Sequence, residues 1–64
     1  MSDRALEIIA KQLKEKREYL TDSLADVSAK DYAEYRAICG EIRGLLTAER
    51  FVKDLAKNLE DSDE

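Results

Sequence analysis

From Tyr35 to Leu59 the chain steps alternately by three and four residues through Tyr35, Ile38, Ile42, Leu45, Glu49, Val52, Ala56 and Leu59, and only Glu49 of this series is polar. An earlier stretch repeats by sevens through Leu6, Leu13, Leu20 and Val27, with Ile9, Ala10 and Leu24 beside it. Each spacing keeps apolar side chains on one side of a helix of 3.6 residues per turn. The pattern predicts an all-α fold, an antiparallel helical hairpin with helices over about 3–26 and 29–60 and an acidic tail at 61–64. The hairpin is completed by oligomerisation or by docking on a partner, because two helices alone form a thin layer.

Capping chemistry sets the expected ends. Ser2 is placed to cap the first helix, with Asp3 favourable in its first turn and Met1 stapled on Leu6. Thr21, Asp22 and Ser23 are indifferent helix formers, and Asp22 and Asp26 oppose the negative end of a helix dipole, so the first helix should fray over 23–27. Ser28 then opens the second helix with Asp31 in the capping-box position and Val27 and Tyr32 as the staple. A tight turn about Val27 and Ser28 puts Leu20 opposite Tyr35, Leu13 opposite Ile42 and Leu6 near Glu49. In that register the second helix overhangs the first by roughly 12 Å. Phe51, Val52, Leu55, Ala56 and Leu59 populate the overhang.

Other faces of the second helix carry surplus pattern. Ala33, Ala37, Gly40, Gly44 and Ala48 recur every three or four positions. Each glycine costs about 1 kcal/mol relative to alanine inside a helix. The ridge allows close approach of another chain, as small-residue ridges do between membrane helices. Alternatively the glycines accommodate a large residue of the first helix, such as Tyr19, or mark a kink. Arg36, Arg43, Arg50 and Lys57 form a further stripe spaced by sevens, and neither Arg36 nor Arg43 has an acid three or four residues away. The stripe suits an acidic surface, phosphates or plain solvent. On the first helix Glu7 with Lys11, and Lys14 with Glu18, have the order and spacing of intrahelical ion pairs. The candidate partner-binding residues are therefore Gly40, Gly44, Ala48, Phe51, Leu55, Leu59, Arg36, Arg43 and Arg50.

Two charges interrupt the apolar seams. Arg17 is expected opposite Ile38, a turn or more from Glu49, which leaves Arg4 as the nearer partner for Glu49. Each either snorkels outward or fixes register against a specific counter-charge.

Composition narrows the function. Sixty-four residues make one domain at most, and a chain this short buries only about 60 % of the surface its unfolded form exposes. With one cysteine and no histidine, neither a disulfide within the chain nor a zinc site can supplement the core, and no metal or cofactor is expected. Cys39 reads as a small buried hydrophobe in a reducing compartment. The 15 acidic residues exceed the 11 basic ones only because Glu60, Asp61, Asp63 and Glu64 cluster at the end, so the body is neutral and bulk polyanion binding is not favoured. Nothing resembles a signal peptide, and no apolar run approaches the roughly 18 residues of a membrane span, so no membrane is expected and synthesis is placed in the cytoplasm. Carboxylates spread over exposed faces, with no histidine and no pocket, argue against an enzyme and against a small-molecule substrate.

Tyr32, Tyr35, Cys39, Gly40, Ile42, Arg43, Gly44, Asp54, Leu55 and Ala56 together form a Tyr-x-x-Tyr, Cys-Gly-x-Ile-Arg-Gly and Asp-Leu-Ala pattern. Over this second half the chain resembles a group of short tailed-bacteriophage proteins. The resemblance implies a phage-encoded virion component at the head, portal or tail region, made in the host cytoplasm and carried in the virion. It transfers no functional residue, and the first helix offers no comparable match. The expected function is structural or assembly work in a phage particle, with the second helix docked on a larger virion protein, on copies of the chain itself, or on both. The alternative is a Rop-like RNA-binding regulator, which resembles the chain in size and hairpin architecture only.

Overall fold

A computed structural model describes residues 3–27 and 31–62. Two helices, α1 (Arg4–Ser23) and α2 (Tyr32–Ser62), pack against each other, with a 3-10 turn at Leu24–Asp26 following α1. No strand occurs among the described residues. The protein is thus the all-α helical hairpin that the two spacings predict.

Asp3, rather than Ser2, caps α1. Its carboxylate accepts the N–H groups of Ala5 and Leu6 at 2.9 and 3.3 Å, and the first helical bond runs from Glu7 N–H to the Asp3 carbonyl. A carboxylate here also meets the positive end of the helix dipole. Met1 and Ser2 lie outside the described residues, as do Ser28 and its expected capping box. At the other end of α1 the Thr21 and Ser23 hydroxyls donate back to the Arg17 and Tyr19 carbonyls, each at 2.9 Å. Such bonds compete with helix continuation. The backbone tightens to 3-10 geometry and becomes extended at Val27, in the stretch expected to fray. Beyond the turn, Tyr35 N–H bonds to the Asp31 carbonyl to close the first turn of α2. That helix continues through Asp61 and Ser62, so the acidic segment begins as helix.

The register differs from the expected one. Arg17 meets Glu49, Ala10 and Leu6 lie with Val52 and Ala56, and Ser23 and Val27 lie with Glu34 and Ile38. Relative to a pivot at Val27 and Ser28, α2 has slid by about one heptad, or about 10 Å. The physical reason is the crossover. The 3-10 turn carries the chain on past α1 to Val27, which lies with Glu34, so the reversal falls several residues beyond the expected pivot. Sliding by seven puts seam residues on seam residues, so the apolar pattern alone is blind to it.

The slip removes the expected overhang. Val52 and Ala56 are covered by the first turns of α1, and α2 extends past α1 by only a few residues. Phe51 and Leu55 are exposed for a different reason: they sit on a flank of α2, away from α1.

The result is a rod of 54 × 14 × 11 Å with a radius of gyration of 15.3 Å, against about 11 Å for a compact chain of this length. Among the described residues Leu20 alone is buried, at 7 % exposure. No helix of the described residues is long and apolar enough to cross a membrane.

Candidate protein-interaction surface

At about 100° per residue, Ala37, Gly40, Gly44, Ala48, Phe51 and Leu55 fall within an arc of about 80° on one flank of α2. Phe51 is 69 % exposed and Leu55 48 %. Leu59 turns back toward the seam and is also exposed. The opposite flank of α2 carries Leu46, Arg50 and Lys53, which line an open groove with Ala10, Lys11, Lys14 and Arg17 of α1.

Because that flank of α1 shares one broad side of the layer with Arg50 and Lys53, its other flank shares the second side with Phe51 and Leu55. This other flank of α1 carries Ile8, Ile9 and Tyr19, all exposed. The hairpin therefore has two unlike faces, one cationic and one apolar. Ile8, Ile9 and Tyr19 belong to the candidate surface, although the pattern places Ile9 beside the seam and offers Tyr19 only as a neighbour for the glycines. The signal for Ile8 and Tyr19 was present as apolar residues off the Leu6 to Val27 seam.

The glycines can now be placed. A Cβ added at Gly40 or Gly44 would meet nothing within 4 Å. Neither glycine has a positive φ. They therefore do not accommodate Tyr19 or any other side chain of α1, which corrects that alternative. Within one chain no close approach calls for glycine at either position.

The basic stripe is divided. Arg36 and Arg43 lie with Tyr32, Tyr35, Cys39 and Gly40 along the back of α2, where the Arg36 guanidinium stands 6.0 Å from the centre of the Tyr32 ring. Arg50 instead joins the groove, beside Lys11, Lys14 and Lys53. The expected Glu7–Lys11 and Lys14–Glu18 pairs are not closed. Among the described residues the ion pair within 4.0 Å is Arg17 with Glu49. Cys39, expected in the core, is half-exposed.

That pair overturns the expectation that Arg17 and Glu49 lie a turn apart and that Arg4 serves Glu49. Arg17 Nε donates to Glu49 Oε2 at 2.6 Å and Nη2 to Oε1 at 3.2 Å, a two-pronged geometry that suits a planar guanidinium. The side chains retain 26 % and 20 % exposure. The bond raises the Arg17 pKa and lowers that of Glu49, which the charges of Arg17, Lys14 and Lys53 lower further. Glu49 is hydrogen-bonded to Arg17 and lies in the field of Lys14 and Lys53, so one carboxylate serves several cations of the groove. Near the turn, a hydrogen bond with Asp31 and the proximity of its charge raise the Glu34 carboxyl.

No group of three or more His, Cys, Asp or Glu side chains among the described residues is arranged to hold a metal ion. Comparison with protein-family models, curated proteins and solved structures finds no match to this chain.

Proposed function

We propose that this chain is a non-enzymatic structural or assembly protein that works by docking the apolar flank of α2 on another protein. One observation carries the reading: among the described residues only Leu20 is buried, while Phe51, Leu55, Ile8, Ile9 and Tyr19 stay exposed on a single broad side. Its accessible surface of 5398 Å² exceeds by about 1,200 Å² the roughly 4,200 Å² of a compact monomer of its mass. An excess of that size matches or exceeds one partner's share of a stable interface, about 800 Å². The resemblance of the Tyr32 to Ala56 stretch to short tailed-bacteriophage proteins supports a phage particle as the setting and a larger head, portal or tail protein as a partner.

The test is mass spectrometry of purified particles of the parent phage, made with the native chain or with Phe51→Ala and Leu55→Ala together. The native chain is expected in the particles and the double variant depleted from them. Absence of the native chain, or full retention of the variant, refutes the docking role.

A second reading rests on the cationic groove. Lys11, Lys14, Arg50 and Lys53 line it together, which suits phosphates and supports a Rop-like RNA-binding role. RNA affinity would then fall steeply with salt, and Arg50→Gln with Lys53→Gln would reduce the salt slope. Affinity insensitive to both rejects this alternative.

A further inference from the structure

The flank of α2 that docking uses is complementary to itself. Its N-terminal half is small, at Ala37, Gly40 and Gly44, and its C-terminal half is larger, at Ala48, Phe51 and Leu55. Turn a second copy end for end about an axis between Gly44 and Ala48, and each small residue meets a larger one. Ala37 faces the partner's Leu55, Gly40 faces the partner's Phe51, and Gly44 faces the partner's Ala48. A two-fold interface makes every such contact twice.

We infer that this chain forms an antiparallel two-fold dimer through α2, with the partner's Phe51 seated on Gly40 and the partner's Leu55 on Ala37. Three further observations select a second copy as the occupant. The space above Gly40 and Gly44 is empty within one chain, so the seat exists and no residue of α1 fills it. In an antiparallel pair like edges meet, and Arg36 shares an edge of α2 with Asp54, so each Arg36 approaches the partner's Asp54 with opposite charge. The excess surface per chain, about 1,200 Å², is of the order that one side of a stable dimer buries. The pairing rests on the proposed docking role only in using the same flank. Pairing and docking on a larger protein are therefore alternative uses of one flank, and the cationic groove stays open on the outer sides of the dimer.

Sedimentation of the full chain is expected to show a concentration-dependent monomer–dimer equilibrium. Phe51→Ala alone, which removes the knob, and Gly40→Leu alone, which fills the seat, should each weaken the dimer by roughly tenfold or more. Gly40→Leu should do so without loss of helix content, since leucine is the better helix former. Combined in one chain, the two substitutions set the introduced leucine of each copy against the introduced alanine of the other, and association should recover to within roughly threefold of the native chain. Orientation is read separately with nitroxide labels in a Cys39→Ser background. Labels at Thr47, near the axis, should lie close together, whereas labels at Glu60 should be separated by about 40 Å along the paired helices.

A monomer at all concentrations, short distances at both label positions, or a double variant as weak as the single ones overturns the pairing. Those results leave the docking role to stand or fall by its own particle assay. A dimer of the stated geometry from a chain absent from particles would uphold the pairing and refute the docking role.

Discussion

Removing the charges of Arg17 and Glu49 should loosen the register of the hairpin rather than its helicity. Both seams repeat by sevens, so sliding α2 by one heptad against α1 preserves apolar contact along most of the interface. In the observed register the two seam charges meet at 2.6 Å. One heptad away Arg17 would face Ile38 and Glu49 would face Leu6, leaving both charges against apolar neighbours. The pair therefore discriminates between two alignments that the apolar residues treat alike, which is the best-attested use of a seam charge.

The perturbation is Arg17→Leu with Glu49→Leu, which makes both seams continuous. The readout is the distance between nitroxides at Glu18 and Lys57 in a Cys39→Ser background, diluted with unlabelled chain so that distances within one molecule dominate. In the observed register these positions are offset by about 20 Å along the helices, and a slip of seven residues raises this to about 30 Å. With a lateral spacing near 10 Å, the label distance should be about 22 Å in the native chain and gain a second population near 32 Å in the variant. The charge swap, Arg17→Glu with Glu49→Arg, should restore the single short distance. A double leucine variant with one unbroadened distance near 22 Å would refute the register role.

The remaining predictions concern stability. Leu20→Ala should cost about 2 to 5 kcal/mol, which in so small a core is expected to abolish a cooperative melt by circular dichroism; an unchanged midpoint would mean that the core lies elsewhere. Asp3→Ala removes the acceptor for two N–H groups and should cost about 1 kcal/mol, visible as lower helix content in denaturant titrations, whereas Asp3→Asn should cost less. Because the Glu49 pKa is lowered in the folded chain, its contribution is present above the ordinary carboxyl range and is lost as pH falls through the folded value. Glu49→Gln should therefore lower stability at neutral pH and flatten its decline in acid, and a variant with the native pH profile would contradict this. Glu34 has the opposite sign, since its raised pKa disfavours folding when it is ionised; Glu34→Gln should stabilise the chain at pH 7 and lose that advantage as the native carboxyl protonates.

Both helices, their antiparallel arrangement and the end of α1 near Ser23 were legible in the sequence, because each depends on local periodicity and hydroxyl or carboxylate chemistry. Their alignment was not. A heptad pattern fixes which faces meet but fixes axial position only modulo seven, and the missing information lay in where the chain reverses, which is beyond Val27. A pivot placed at Val27 and Ser28 was enough to separate Arg17 from Glu49 and to create an overhang. The clue that could have chosen correctly was the pair of seam charges themselves, since only one heptad alignment brings them together.

The candidate surface was partly legible for a related reason. Phe51 and Leu55 stand off the seam at any register, so their exposure survives the slip although its cause changes. Ile8, Ile9 and Tyr19 join them because in an antiparallel pair the like edges of the two helices share a side, a relation that neither helical pattern shows by itself. Gly40 and Gly44 illustrate the same division. The sequence supplies their cost, about 1 kcal/mol each, and the structure supplies the empty space above them. An alanine at either position would ease helix formation and touch nothing within the chain. Glycine there reduces the stability of the isolated hairpin while leaving room for a second backbone, and that balance favours a helix that is stable in company rather than alone.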